Sequence, residues 1–142
     1  CALPILLRMA RSIDYQPNAI PICLPNGDDD LVGTTGSVTG WGRRSEYGQI
    51  SPVLREVHLP IISNEKCMQM YRLSGQNEWI PRIFLCAGTA NGGKDSCEGD
   101  SGGPLVVKSA NGRYILTFFT QISYRKFENL RISGLTDYFF NF

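Results

Sequence analysis

The chain has 142 residues, 42% of them hydrophobic, which is enough for one modest domain with an apolar core. Its 14 basic and 13 acidic residues give a net charge of +1 at pH 7, which excludes the basic footprint of a nucleic-acid partner and an electrostatic membrane anchor. No apolar run reaches the roughly 18 residues that a membrane-spanning helix needs.

The N-terminal part is predicted to consist of short apolar segments and loops. The chain begins with Cys1 and has no charged region before its first apolar stretch, which argues against a signal peptide and for a chain cut from something longer. Residues 1–9 and 19–25 are short apolar segments that contain prolines. Residues 26–33, NGDDDLVG, predict a solvated acidic loop, because the ligands of an EF-hand loop alternate whereas these aspartates are consecutive.

Two strands are predicted in the next part of the chain. Residues 34–42, TTGSVTGWG, are typical of a strand that ends at a glycine-flanked tryptophan. The Arg43–Arg44 pair that follows is too short for a basic patch and predicts a solvated turn. In residues 54–62, LREVHLPII, apolar side chains alternate with His58 and Pro60, the period-two pattern of a half-buried strand. Pro60 places that strand at an edge or a bulge.

One helix is predicted directly after the second strand. Residues 63–72, SNEKCMQMYR, begin with Ser63 or Asn64 as the N-cap. The helical period then brings three side chains to one face, namely Cys67, Met70 and Tyr71.

The rest of the chain returns to β structure. Residues 82–88 predict a strand, and residues 104–119 predict two strands joined by an Asn-Gly turn. Residues 135–142, LTDYFFNF, predict a short terminal helix. The class is therefore all-β, of the barrel or sandwich kind.

Five cysteines are spread irregularly along the chain, at Cys1, Cys23, Cys67, Cys86 and Cys97. No CxxC pair occurs among them, so a zinc site is not expected. No other metal and no cofactor is predicted. The spacing favours an extracellular disulfide framework. Because the count is odd, at least one cysteine is free or pairs outside this chain.

A glycine-rich segment, KDSCEGDSGGPLV at residues 94–106, surrounds one serine, Ser101. A serine hydroxyl is a weak nucleophile and needs a base and a place for the oxyanion. Glycines permit a tight turn in which the amides of Gly99 and Ser101 converge on one point. The alternative is a plain turn leading into a strand, since glycine-rich turns are common.

This segment resembles the active-site segment of chymotrypsin-fold, trypsin-like serine endopeptidases. PICLP, VTGWG, LREVHLPIISNEKC, FLCAGTANGGKDSC and GRYILT also resemble that family, in order, so the likeness covers residues 5–117. It is similar in particular to arthropod clip-domain and Stubble-type members. The resemblance implies a double β-barrel of which residues 1–142 are a partial domain: mainly the C-terminal barrel, with a short C-terminal helix and with the N-terminal barrel largely missing.

The resemblance implies a role for each residue of the motif. Ser101 matches the acylating nucleophile, and the amides of Gly99 and Ser101 match the oxyanion hole. Asp95 matches the acid that pairs with a substrate Lys or Arg, a role that suits a buried carboxylate. Asp100 matches the residue that pairs with the new N-terminal ammonium after zymogen cleavage.

The resemblance also implies partners and pairings. Cys67 and Cys86 match a disulfide pair, and Cys23 matches a cysteine that often tethers an upstream segment or light chain. The implied partners are protein or peptide substrates and serpin-type inhibitors, with no nucleic acid. The implied location is extracellular, either secreted or on the ectodomain of a membrane-anchored parent.

Several features depart from the family pattern. The family's general base is a histidine within a TAAHC-like motif, whereas the single histidine here, His58, occupies an ordinary strand position. Leu3 stands where the family has its triad aspartate. Residues 118–130 diverge and replace a wall of the specificity pocket, and Cys97 lacks its family partner. We therefore expect the chain to be inactive alone.

Three hypotheses account for these departures. The chain is part of an active trypsin-like endopeptidase, or a non-catalytic homologue that binds partners, or an aberrant product that does not fold stably. The first is favoured because Asp95, Asp100 and Ser101 are all intact, and a lineage of binding proteins has no need to keep them.

Overall fold

The fold is described here from a computed structural model, in which residues 8–25, 30–45, 48–90, 96, 98–120 and 135–139 are described. Within these ranges the chain forms six strands and one helix. In chain order they are β1 (Thr35–Gly40), β2 (Arg55–Ile62), α1 (Asn64–Leu73), β3 (Phe84–Gly88), β4 (Pro104–Lys108), β5 (Tyr114–Thr120) and β6 (Leu135–Phe139). The all-β class predicted from the sequence is confirmed.

The six strands close into one barrel in the order β1-β2-β3-β6-β5-β4. Every neighbouring pair is antiparallel. Closure leaves no strand without a partner on either side, so backbone groups pair around the ring. β2 joins β3 only through Ile61 and Ile62. The prediction of an edge strand or a bulge at Pro60 is therefore wrong, because β2 lies between β1 and β3 with a regular register. Pro60 lies just before the ladder to β3 begins, where its missing N–H costs no ladder bond.

The barrel interior is filled by alternate residues of the strands. β2 contributes Leu59 and Ile61, both fully buried, as its period-two pattern predicts. The other buried members of this core are Val38, Leu85, Ala87, Leu105 and Val107. Gly36 of β1 faces this core, and a Cβ there would lie 2.6 Å from Leu105 Cδ1. A side chain at position 36 would thus overpack a core that is already filled.

The helix packs on the outside of the barrel through a second buried cluster. Ser63 is the N-cap of α1, and its hydroxyl accepts a hydrogen bond from Lys66 N at 3.2 Å. Asn64, the alternative cap, instead donates from Nδ2 to the carbonyl of Pro81, before β3, and to that of Phe84, the first residue of β3. The predicted apolar face is confirmed, since the helix buries Cys67, Met70 and Tyr71. A disulfide joins Cys67 of the helix to Cys86 of β3.

The hairpin of β4 and β5 turns at the predicted Asn-Gly pair. Gly112 has a φ of +82°, a conformation that glycine adopts without steric cost. The Asn111 side chain accepts a hydrogen bond from Arg113 N at 3.1 Å and stabilises the turn. The hairpin prediction is confirmed.

The predicted C-terminal helix is wrong where the structure describes it. Residues Leu135–Phe139 form strand β6, which lies between β3 and β5 and completes the barrel. The physical reason is tertiary: a five-residue segment is too short to be stable as a helix, whereas as a strand it gains ladder hydrogen bonds on both sides. Its Thr, Tyr and Phe residues also favour strands.

Candidate active site

Ser101 lies in an exposed turn directly before β4. Gly103 N donates to Asp100 O at 2.9 Å and closes the turn. Gly99 and Gly102, on either side of the serine, have φ values of +96° and +84°. Both positions therefore require the left-handed conformation that residues with a Cβ rarely adopt. The glycines of the motif thus set the turn that presents the hydroxyl.

The backbone N–H of Gly99 makes no hydrogen bond to any residue that the structure describes. Such a donor at an exposed turn is available to an incoming acceptor. The Gly99 backbone also packs tightly, since a Cβ built on it would lie 3.1 Å from Gly42 Cα. This predicted oxyanion residue therefore lies against the loop that follows β1.

The Asp100 carboxylate lies against Gly40, the last residue of β1, and Gly42 of that loop. Gly42 N donates to Asp100 Oδ1 at 2.7 Å. A Cβ on either Gly40 or Gly42 would overlap the carboxylate. The two glycines that flank Trp41 are therefore a close-approach site for Asp100. The sequence analysis paired Asp100 with an N-terminal ammonium and did not predict its contact with Gly42. The two glycines around Trp41 were the sequence feature that could have indicated a close approach there.

Arg43 joins the same two loops. Its Nε lies 2.6 Å from Glu98 Oε2, and its backbone N–H donates to Glu98 O at 2.7 Å. Its Nη1 also donates to Gly48 O at 2.7 Å. The prediction of a merely solvated Arg43–Arg44 turn is therefore wrong for Arg43. The ion-pair partner lies 55 positions away, which no local pattern reveals.

Ser96 is a buried residue that sequence reasoning did not single out. Its side chain is 3% exposed, and its hydroxyl has no hydrogen-bond partner among the described residues. A buried hydroxyl without a partner costs about 1–3 kcal/mol. Ser96 directly follows Asp95, the predicted pocket acid, which lies outside the described residues, as do Cys97 and the stretch 121–130.

His58 lies on the barrel surface, as predicted for a strand histidine. Its Nδ1 is 2.7 Å from Ser37 Oγ on the facing strand and 3.9 Å from Glu56 Oε1. Both contacts use the same ring nitrogen. A nucleophile–base–acid relay uses the two nitrogens separately, so this cluster does not form one.

Cys23 is a free, half-buried thiol beside β5. Its carbonyl accepts a hydrogen bond from Leu116 N at 2.9 Å. Across the described ranges no cluster of His, Cys, Asp or Glu is placed to hold a metal ion. No helix in these ranges has the length and apolar character to cross a bilayer.

Comparison with known proteins places these features in a family. Residues 5–124 match the family described as Trypsin. Serine proteinase stubble of Drosophila melanogaster is 50% identical over 111 residues, which are 78% of this chain and 14% of the relative. Serine protease filzig of the same species is 49% identical over 111 residues, 78% of this chain and 7% of the relative.

A third relative, the proclotting enzyme of Tachypleus tridentatus, is 40% identical over 114 residues, 78% of this chain and 30% of the relative. The chain thus spans only a minor part of the length of these three relatives. Proteases of this family act on protein substrates. Because the family match covers residues 5–124, the chain belongs to the trypsin family of serine proteases.

Proposed function

We propose that residues 1–142 are the part of a trypsin-like serine endopeptidase domain that carries its nucleophile, Ser101. The observation that carries this proposal is the Ser101 turn. Ser101 is exposed, the neighbouring Gly99 amide is unpaired among the described residues, and Asp100 is fixed against Gly42. A plain connecting turn needs none of these features.

In the proposed reaction the Ser101 oxygen attacks the carbonyl carbon of the scissile peptide bond and forms a tetrahedral intermediate. The amides of Gly99 and Ser101 donate hydrogen bonds to its oxyanion. The hydroxyl proton must pass to a base and then to the leaving amine. The single histidine of the chain bonds Ser37 on the barrel surface. We therefore propose that the base is a histidine outside these 142 residues.

The proposed specificity is for Lys or Arg on the acyl side of the cleaved bond. Asp95 provides the carboxylate that pairs with the substrate cation. Ser96, buried beside it in the chain, supports this assignment because its unpaired hydroxyl is able to accept a hydrogen bond from an ammonium or guanidinium group.

The proposed partners follow from the assignment of Ser101 as the nucleophile of a trypsin-like protease. Serpin-type inhibitors act on serine nucleophiles of this kind, and the half-buried Cys23 thiol is a candidate for a disulfide to an upstream segment or light chain. The Cys67–Cys86 disulfide supports an extracellular location, because such bonds persist in oxidising compartments.

The test uses the complete gene product after zymogen cleavage and peptide substrates that differ only in the residue before the cleaved bond. We expect cleavage after Arg and Lys, no cleavage after Leu, and loss of all cleavage in Ser101→Ala. Asp95→Ser is expected to abolish cleavage after basic residues, because a desolvated cation without its counter-charge costs several kcal/mol. Unchanged cleavage after Arg in Asp95→Ser would sink the specificity assignment.

A second candidate is a non-catalytic homologue that binds protease ligands. The engagement of the chain's single histidine with Ser37 favours it. It predicts that the complete product binds an arginine-containing peptide without cleaving it and that Ser101→Ala leaves this affinity unchanged.

A further inference from the structure

Arg43 joins the loop before the nucleophile to the loop after β1, beside the hydrogen bond from Gly42 N to Asp100. Arg43 contacts Glu98 twice, once through its backbone and once through its side chain. Its guanidinium also binds Gly48 O, on its own loop. Glu98 immediately precedes Gly99, whose amide is the proposed oxyanion donor. These bonds therefore act on the peptide plane that contains that amide.

The backbone bond fixes the orientation of the amide. No cis peptide bond occurs within the described residues, so the carbonyl of Glu98 and the N–H of Gly99 point in opposite directions from a common plane. Arg43 N donates to that carbonyl at 2.7 Å. While this bond is made, the Gly99 N–H points away from the Arg43 backbone. Without it, the high freedom of glycine permits the plane to rotate.

The side-chain bonds hold Arg43 where its backbone reaches Glu98. A guanidinium has a rigid, planar set of donors, so two acceptors on different sides restrict it more than one ammonium contact would. Both partners of the ion pair are partly exposed, 36% for Arg43 and 50% for Glu98. An ion pair of that exposure adds little to global stability. The effect of this ion pair is local, because it restricts the Gly99 amide, whose N–H must point at the oxyanion.

We propose that Arg43 is a positioning residue for the Gly99 amide, acting through Glu98. The inference rests on the proposed function, because it names the residue that orients the Gly99 N–H in the proposed oxyanion site. It predicts an effect on the tetrahedral state and none on the recognition of a substrate cation.

The experiment uses the complete gene product and two probes. A peptide aldehyde that ends in arginine forms a tetrahedral adduct with Ser101, whereas benzamidine presents only a cation. Arg43→Ala removes both guanidinium bonds, Arg43→Lys keeps the charge without the planar donor set, and Glu98→Gln removes the ion pair but keeps the carbonyl. Arg44→Ala is the matched control, since its exposed side chain makes no polar contact with the described residues.

In Arg43→Ala we expect kcat and aldehyde affinity to fall together by about three- to tenfold, the effect of one ion pair and one charged hydrogen bond. KM and benzamidine affinity should stay within about twofold, and Arg43→Lys should restore part of kcat. Retained benzamidine affinity also reports that each variant is folded. If Arg43→Ala does not fold, Glu98→Gln must show the same split with a smaller loss.

Two results would overturn the proposal. One is an unchanged aldehyde affinity in both Arg43→Ala and Glu98→Gln. The other is an equal loss for aldehyde and benzamidine, which indicates general loosening of the loops. A wild-type protein that neither cleaves peptides nor binds the aldehyde overturns the proposed function itself, and so is distinguishable from both.

Discussion

Asp100 and Gly42 show how single residues connect two motifs that lie far apart in the sequence. The carboxylate of Asp100 accepts a hydrogen bond from Gly42 N, and the absence of a side chain at Gly40 and Gly42 leaves room for it. The glycine-flanked tryptophan and the GDSGG segment are therefore one structural unit. A substitution in either should alter the other.

Gly42→Ala should lower the free energy of unfolding by about 1–3 kcal/mol, because its Cβ would overlap the Asp100 carboxylate in a packed site. Urea titration of both proteins measures the difference. The control is the same substitution in an Asp100→Ala background, where the overlap is absent and most of the cost should disappear. An equal cost in both backgrounds would show that the carboxylate is not the cause.

Sequence reasoning succeeded at the residue scale only where the signal was contiguous. The GDSGG segment could be interpreted because its residues are neighbours in the chain. The Asp100–Gly42 and Arg43–Glu98 contacts join positions 58 and 55 apart, and a local pattern does not show which partner a charged side chain finds. The hydroxyl of Ser96, which has no hydrogen-bond partner among the described residues, could be identified only once its burial was known.

At the scale of elements, periodicity and turn chemistry predicted most of the barrel. The alternation in β2, the Ser63 cap and the Asn-Gly turn are local signals, and the structure has each of them. β6 was mistaken for a helix because its five residues become a strand only through pairing with β3 and β5, which are distant in sequence.

The disulfide of α1 and β3 should be directly detectable. Cys67 and Cys86 are 19 positions apart, and a loop of that length contributes on the order of 3 kcal/mol under the chain-entropy model. Peptide mapping of the isolated 142-residue chain without reduction should recover the linked pair, while Cys23, whose proposed partner lies outside these residues, should be alkylated after unfolding. If both Cys67 and Cys86 alkylate freely in the native protein, the pairing is wrong.

The start of α1 should make a pH-dependent contribution to stability. The pKa of Glu65 is lowered, first by a hydrogen bond from its own backbone N–H and then by one from Ser63. A carboxyl with a lowered pKa in the folded state stabilises the protein above its unfolded pKa, and this contribution is lost as pH falls through the folded pKa. Glu65→Gln should therefore be less stable than wild type at neutral pH, by a difference that shrinks in acid. Parallel urea titrations at pH 7 and pH 3 measure it, and a pH-independent difference would contradict the assignment.

At the scale of the whole molecule, the chain presents apolar side chains outside its closed barrel. In the segment before β1, Tyr15 and Ile20 are more than 70% exposed. Near the candidate site, Trp41, Ile50 and Val53 are also more than half exposed. Exposed apolar side chains favour association with another protein surface, or aggregation, where they adjoin one another. We therefore expect the isolated 142 residues to be poorly soluble on refolding.

The central claim is that Ser101 is a protease nucleophile that requires a base from outside these 142 residues. Labelling by an active-site fluorophosphonate tests it most directly, with the modified residue located by mass spectrometry and Ser101→Ala as the control. Loss of the base alone lowers kcat by about six orders of magnitude in a serine protease. We expect stoichiometric labelling of Ser101 in the complete gene product after zymogen cleavage and, in the 142-residue chain, no labelling above Ser101→Ala. Labelling of the isolated chain at Ser101, or none at Ser101 in the complete product, would contradict the claim.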